Sequence, residues 1–255
     1  MQNYTIDSQI SETIIQDRLN NGYNLDIGSY ISTAWEIFKK EWLTFSLYSL
    51  IVLVIIATGI GAFAIYPLML GFFLGADKVA KGQPLSISDM FGGFNKNLGK
   101  LILLFLVPFG VMLIIYIPFM GIIVGTGMLG SESSDAAGAV DVVAMGSMFL
   151  MYILIFIAAI VLSLALFFAP YLIYFGDYSV MDALKTSWKL AMKNVLMLIV
   201  YSLLISLITQ IGIFACFVGI VASIAMGYVC YYPMIKDVLF NEKIATVPTT
   251  NAGGY

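Results

Sequence analysis

Four uncharged apolar runs alternate with short segments that hold the charge: Trp42 to Ala76, Leu101 to Leu129, Val142 to Phe175 and Val195 to Ile235. A membrane-spanning helix needs about 20 apolar residues. The first and last runs are too long for one such helix and barely long enough for two. They therefore predict hairpins of two spans, turning at Gly59-Ile60-Gly61 and near Thr209-Gln210-Ile211-Gly212. A shallow re-entrant hairpin competes for the first run, because each arm is near the lower length limit. The two middle runs predict one span each, the earlier interrupted by Pro108 and Pro118, either of which removes a helix hydrogen bond. The pattern thus gives six spans.

The charged segments have a helical period. Ile31, Ala34, Trp35, Phe38 and Trp42 form one apolar stripe with Glu36, Lys39 and Lys40 off it, so an amphipathic helix should lie in the headgroup layer before the first span. A helix packed on a cytoplasmic partner would carry the same period. Ser86-Ile87-Ser88-Asp89 reads as a capping box opening a second such helix with Met90, Phe91, Phe94 and Leu98 as its stripe, weakened by Gly92, Gly93 and Gly99. Ser179 to Asp182 opens a third, with Met181, Leu184, Trp188 and Met192 on the stripe and Lys185, Lys189 and Lys193 beside it. Nearer the start, Ile14, Ile15 and Leu19 make one face of a short helix ending at Asn20-Asn21-Gly22.

The first and third of these regions are copies. Thr33 to Ile51 and Thr186 to Leu204, offset by 153 residues, align without gaps and match at seven of nineteen positions, among them Trp35 with Trp188, Lys40 with Lys193, and Tyr48-Ser49-Leu50 with Tyr201-Ser202-Leu203. The repeating unit is an amphipathic helix, a span out, a span back with a Pro near its cytoplasmic end (Pro67, Pro170, Pro233, expected as span hinges), then an Asp (Asp77, Asp177, Asp237). Three units, about 29–80, 84–176 and 177–240, fill a single membrane domain over 29–240, with Phe94 standing where the outer units have Trp. The fold class expected is an all-α polytopic membrane protein of six transmembrane helices, built as three parallel helix-hairpin repeats related by an axis along the membrane normal. Residues 1–28 are expected as a polar cytoplasmic segment and 241–255 as a disordered cytoplasmic tail.

Composition agrees with a membrane protein: 61% of the 255 residues are apolar and 11% charged, where soluble domains carry about a quarter. A net charge of -3 points away from a nucleic-acid partner. All 12 basic residues, the 11 Lys and Arg18, fall on one side of the six-span map, which makes that side and both termini cytoplasmic. The polar start lacks the layout of a cleavable signal, so the first span is expected to direct insertion. Cys216 and Cys230 lie in apolar runs, about 21 Å apart on one helix, and read as buried small hydrophobes.

Pro67-Leu68 with Gly71, Lys81-Gly82-Gln83-Pro84, Ser88-Asp89-Met90-Phe91-Gly92-Gly93-Phe94 and the Trp188 helix together resemble uncharacterised bacterial six-span inner-membrane proteins related to the membrane domain of glycerophosphodiester phosphodiesterases. The resemblance covers about residues 30 to 240 and implies a multi-pass inner-membrane protein with cytoplasmic termini. It brings no catalytic residues, and that family's catalytic domain has no counterpart here. Some relatives carry an association with carotenoid-cleaving oxygenases, which hold iron through histidines, and this chain has no His.

The spans contain no Asp, Glu, Lys or Arg, the residues on which proton relays and ion-coupled carriers depend. Without His there is no Ser-His or Cys-His pair and no His-based metal site, so no catalytic, metal or cofactor site is expected. Glu132, Asp135 and Asp141 read as a solvated loop, and Gln210 as an amide satisfied near its turn or by a neighbouring Ser or Thr. Gly71 with Gly75, and Gly121 with Gly125, permit close helix packing within the monomer or at a dimer seam. The expected function is that of a non-enzymatic structural or accessory protein. Its partners would be membrane lipids, anionic ones included, or a larger membrane-protein complex, met through the interfacial residues Trp35, Lys39, Lys40, Phe94, Lys96, Lys185, Trp188, Lys189 and Lys193. The alternative is a channel or carrier for a neutral or lipid-like substrate, which a continuous polar cavity between the repeats would favour.

Overall fold

A computed structural model describes residues 10–130, 137–212 and 216–244. Among them the regular structure is helical throughout: α1 (Glu12–Asn21), α2 (Ile27–Lys40), α3 (Trp42–Ala57), α4 (Ile65–Ala80), α5 (Ile87–Met90), α6 (Leu98–Gly130), α7 (Ala137–Phe167), α8 (Ala169–Gly176), α9 (Val180–Lys193), α10 (Val195–Ile211) and α11 (Cys216–Phe240). Three helical stretches, Gly61–Ala80, Leu98–Ile122 and Met145–Gly176, are long and apolar enough to cross a membrane, and up to five if the bent pairs α2–α3 and α9–α10 each count as one. The acidic loop residues Glu132 and Asp135 and the tail beyond 244 lie outside the described residues, as does the side chain of Asp141.

The two copies of the repeat fold alike. Each amphipathic helix ends at one residue, Glu41 (φ -133°, ψ 34°) or Asn194 (φ -146°, ψ 43°), and the chain turns by 93° or 95° into the apolar helix that follows. A single non-helical residue thus makes a right-angle corner in each copy. Burial follows the repeat, with Ala34 and Ser187, Ile37 and Leu190, Phe45 and Leu198, and Tyr48 and Tyr201 all buried.

That burial also corrects the predicted stripes. The inward face of α2 is Tyr30, Thr33, Ala34, Ile37 and Phe38, and that of α9 is Ala183, Leu184, Ser187, Leu190 and Ala191. Trp35, Trp42, Met181 and Met192 stay about half exposed or more. A 3.6-residue period fixes a stripe's width but leaves its edges to whatever packs there, and α2 packs on α11 while α9 packs on α7 and α8.

The core lies around α4 and α11. The window of Gly61–Ala80 is 67% buried, against 11% for each of Leu98–Ile122 and Met145–Gly176, so α6 and α7 pair with each other and turn most of their apolar surface outward. Gly59, at φ 76°, makes the first hairpin turn with a backbone that glycine adopts at no steric cost.

The middle unit departs from expectation. In place of a second amphipathic helix there is the single turn α5 followed by a 3-10 turn, Phe91–Phe94. This segment lies on α4, with Met90 fully buried and the Tyr48 hydroxyl donating to the Leu68 and Met90 carbonyls at 3.0 and 3.1 Å. A Cβ at Gly71 would stand 2.0 Å from the Met90 carbonyl oxygen, so Gly71 serves packing inside the molecule, whereas Gly121 and Gly125 face open space. The apolar run from Val142 to Phe175 is also broken: α7 stops before Phe168, and Pro170 sits in the first turn of α8.

Candidate functional site

The prolines expected as hinges occupy different places. Pro67 stands in the first turn of α4, where its missing N–H has no helical acceptor to lose, and so at the far end of that helix from Asp77. Pro170 likewise opens α8, and only Pro233 lies inside a helix. The break before Pro170 leaves the Phe168 amide without a helical partner, and Ser187 of α9 fills it. Its hydroxyl accepts from Phe168 N at 2.9 Å and donates to the Leu164 carbonyl at 3.3 Å.

Charges read along the chain only for orientation build a buried cluster where α4 and α11 end. Asp77, fully buried, accepts from Lys236 Nζ at 3.1 Å, Lys81 Nζ at 2.7 Å and the Tyr232 hydroxyl at 3.0 Å. Lys236, 2% exposed, also meets Glu242 at 2.8 Å. Next to it Asp237 takes the Tyr30 hydroxyl and lies 3.8 Å from Arg18. Arg18 donates to the Asn241 side chain at 2.7 Å, so α1, α2, α4, α11 and the chain just after α11 are tied in one place. Burying charge costs several kcal/mol per ion unless it is fully paired, and here the partners are present. The sequence signal was there in the Asp that ends each unit, but nothing along the chain pairs Asp77, in the first unit, with Lys236, in the last.

On the same side, Lys78 pairs with Asp89 at 2.8 Å. Partial burial of the Asp89 carboxyl opposes its ionisation, but hydrogen bonds from Lys78 and from Ser86 outweigh this and hold its pKa below the ordinary carboxylate value. Asp177 is held low by Lys100, 2.6 Å away, on the exposed surface.

The interfacial residues separate into two sets. Lys39 is paired with Glu36 at 2.8 Å and lies 5.8 Å from the Trp35 ring; Lys40 and Lys96 are exposed, and Phe94 is half-buried against the core. Around α9, by contrast, Lys189 and Lys193 line an open groove of about 650 Å³ with Trp188 and Met192, whose other wall is Gln16, Leu19 and Asn20 of α1. Lys185 is exposed on the same helix, outside the groove. The contribution of α1 was not foreseen, although the predicted face of Ile15 and Leu19 is what docks it. The described part of the N-terminal segment is packed here: Tyr23 donates to the Leu190 carbonyl at 3.0 Å and Asn194 to the Tyr23 carbonyl at 2.9 Å.

A cavity of about 380 Å³ lies between α3, α10 and α11. Its wall runs from Ser49 to Ile56 on α3 and from Ser202 to Thr209 on α10, about 10 Å of helix, one third of a hydrocarbon core of about 30 Å. The described walls of this partly open space cover no more than that length. Gln210, near its end, donates to Ser206 one turn back at 3.1 Å.

A family model described as Domain of unknown function (DUF7847) matches residues 94–250. No curated protein and no solved structure matches.

Proposed function

We propose, from the premise that the chain belongs to the family described as Domain of unknown function (DUF7847), that it is a non-enzymatic protein of the cytoplasmic membrane that holds anionic lipid headgroups at α9. The reading takes α3, α4, α6, α7–α8, α10 and α11 as six spans with both termini cytoplasmic, α11 entering because Cys216 to Ile235 carries no charge. It includes kinship with the membrane domain of glycerophosphodiester phosphodiesterases, on the motifs given above. A structural or accessory role follows, alone or within a larger membrane complex.

One observation carries the reading: the groove between α1 and α9, which sets two lysines, an indole and two side-chain amides at a right-angle corner between a surface helix and an apolar one. Trp and Met enter the acyl boundary while Lys stays at headgroup level. Each Lys near an anionic leaflet contributes about 1 kcal/mol. The triple variant K185Q/K189Q/K193Q should therefore insert correctly, since nine other basic residues remain, and lose up to about 3 kcal/mol of headgroup binding, an effect that shrinks with added salt. Mass-spectrometric quantitation of co-purified lipid measures it, with K39Q/K40Q as the control that loses little. Unchanged anionic lipid on a correctly inserted triple variant refutes the proposal.

A carrier for a neutral or lipid-like substrate ranks second. The compartment between α3 and α10 favours it; the short reach of that compartment counts against a continuous path.

A further inference from the structure

We infer that the compartment between the two copies of the repeat is a binding site for an uncharged, lipid-soluble molecule that presents a carbonyl oxygen to Ser49. This goes beyond the headgroup groove and does not depend on it.

The first reason is the state of Ser49. Hydroxyls in helices ordinarily spend their proton on a carbonyl one turn back, as Ser46 does with Trp42 at 2.7 Å, Thr58 with Ile55 at 2.7 Å and Thr209 with Ser206 at 2.8 Å. Ser49 is fully buried in the wall of the compartment, and its Oγ has no hydrogen-bond partner among the described residues; a ligand oxygen reaches it once the side chain turns to a rotamer that points into the space. An unsatisfied buried donor carries a standing penalty, which a ligand acceptor removes.

The second reason is placement. Ser202 lines the same compartment from the position equivalent to Ser49 in the other copy, so the repeated Tyr-Ser-Leu triplet delivers two serines to one space. The tyrosine of each triplet is buried and donates to a backbone carbonyl, which anchors the helix turn that presents the serine. Tyr228, on the α11 wall, is stacked on Phe72 at 4.8 Å and is therefore held in place before any ligand arrives.

The third reason is what the walls exclude. Among the described residues no acid, Lys or Arg lines the space, so an ion would be buried uncompensated. Ser49 and Ser202 stand about two turns into α3 and α10, about 10 Å beyond the corner, too deep for a headgroup that remains in water. At about 380 Å³ the compartment is near the small end of ligand sites and much larger than one water requires. It suits a ring or the ester region of a lipid with its tail left outside. A quinone ring and a diacylglycerol ester both offer the required carbonyl.

The test uses the full chain in neutral detergent and two probes, a short-tailed benzoquinone and 1,2-dioctanoylglycerol, each also made with a photoreactive tail. Saturable binding is read from the thermal midpoint and by mapping crosslinks. One probe is expected to bind and to crosslink to α3 or α10, and which one binds identifies the carbonyl as ring or ester. Ser49→Ala should weaken it about fivefold, the loss of one hydrogen bond, while raising the midpoint of the ligand-free protein because an unpaired hydroxyl has been removed. Ser202→Leu should abolish binding by filling the space; if it does not fold, the Ser49→Ala pair of readings decides alone. K185Q/K189Q/K193Q should leave probe affinity unchanged. Absence of saturable binding by either probe overturns the inference, as does a Ser49→Ala variant with unchanged affinity or a lowered ligand-free midpoint.

Discussion

The two copies of the repeat share a backbone and differ in charge. From Ser32 to Glu41 the first copy carries two lysines and two glutamates; the equivalent Lys185 to Asn194 carries three lysines and no acid. Glu36, which pairs with Lys39 in the first copy, is replaced by Lys189 in the second, and Glu41 at the corner is replaced by Asn194. The corner itself survives, with both residues in the same region of backbone angles. The shape therefore resides in the shared buried positions, Ala34/Ser187, Ile37/Leu190 and Tyr48/Tyr201, and the exposed positions are free to set what each corner attracts. One copy neutralises itself, and the other presents a cationic groove.

The copies are joined at the Asp77–Lys236 cluster, where the end of α4 meets the end of α11, and breaking that join should have the largest effect. Asp77→Ala takes the buried partner from a lysine that is 2% exposed and leaves it only the surface carboxylate of Glu242; removing one partner of a buried pair costs about 3–5 kcal/mol. The thermal midpoint in detergent should fall accordingly, and the double variant D77A/K236M should recover much of the loss because the charges that lose these partners, on Lys81 and Glu242, are exposed to solvent. A double variant no better than D77A would place the cost in packing instead.

A smaller effect sharpens the difference between the copies at one aligned position. Ser187 repairs the broken span before Pro170, whereas its counterpart Ala34 has no hydroxyl to give. Ser187→Ala should cost about 1–3 kcal/mol, the penalty for leaving the buried Phe168 amide unpaired. Denaturant titration by circular dichroism measures it, and a change within error would mean that the amide finds another acceptor.

The smallest effect belongs to the middle unit, which lacks an amphipathic helix and relies on a capped turn. The Asp89 pKa is lower in the folded protein than in a free carboxyl, so its stabilisation is complete above the unfolded value of about 3.9 and is lost as pH falls through the lower folded value. Stability measured against pH should decline below about pH 4, and D89N should be less stable near neutrality but flatter across that window.

How much of this was legible along the chain varies with the range of the interaction. The repeat announced itself because matching residues are read off the chain, although the right-angle corner in each copy did not, and the caps at Ser86 and Ser179 were legible because a capping box is complete within four residues. The predicted second amphipathic helix misled for a local reason as well. Met90, Phe91 and Phe94 have helical spacing, but Gly92 and Gly93 let the backbone come down onto α4, with a Cβ at Gly93 only 2.0 Å from the Pro67 carbonyl oxygen.

By itself the sequence determined that the chain is helical and apolar, where its uncharged runs begin and end, which positions repeat, and on which helix unneutralised lysine accumulates. These are periodicities and counts, and they survive without knowledge of neighbours. Only the tertiary structure decided which edge of each amphipathic stripe turns inward, that Asp77 meets Lys236, that α1 completes the lysine groove, and that Ser49 and Ser202 face one compartment. Each of those is a contact between residues far apart in the chain, and such contacts follow from how helices pack, which a one-dimensional period leaves open.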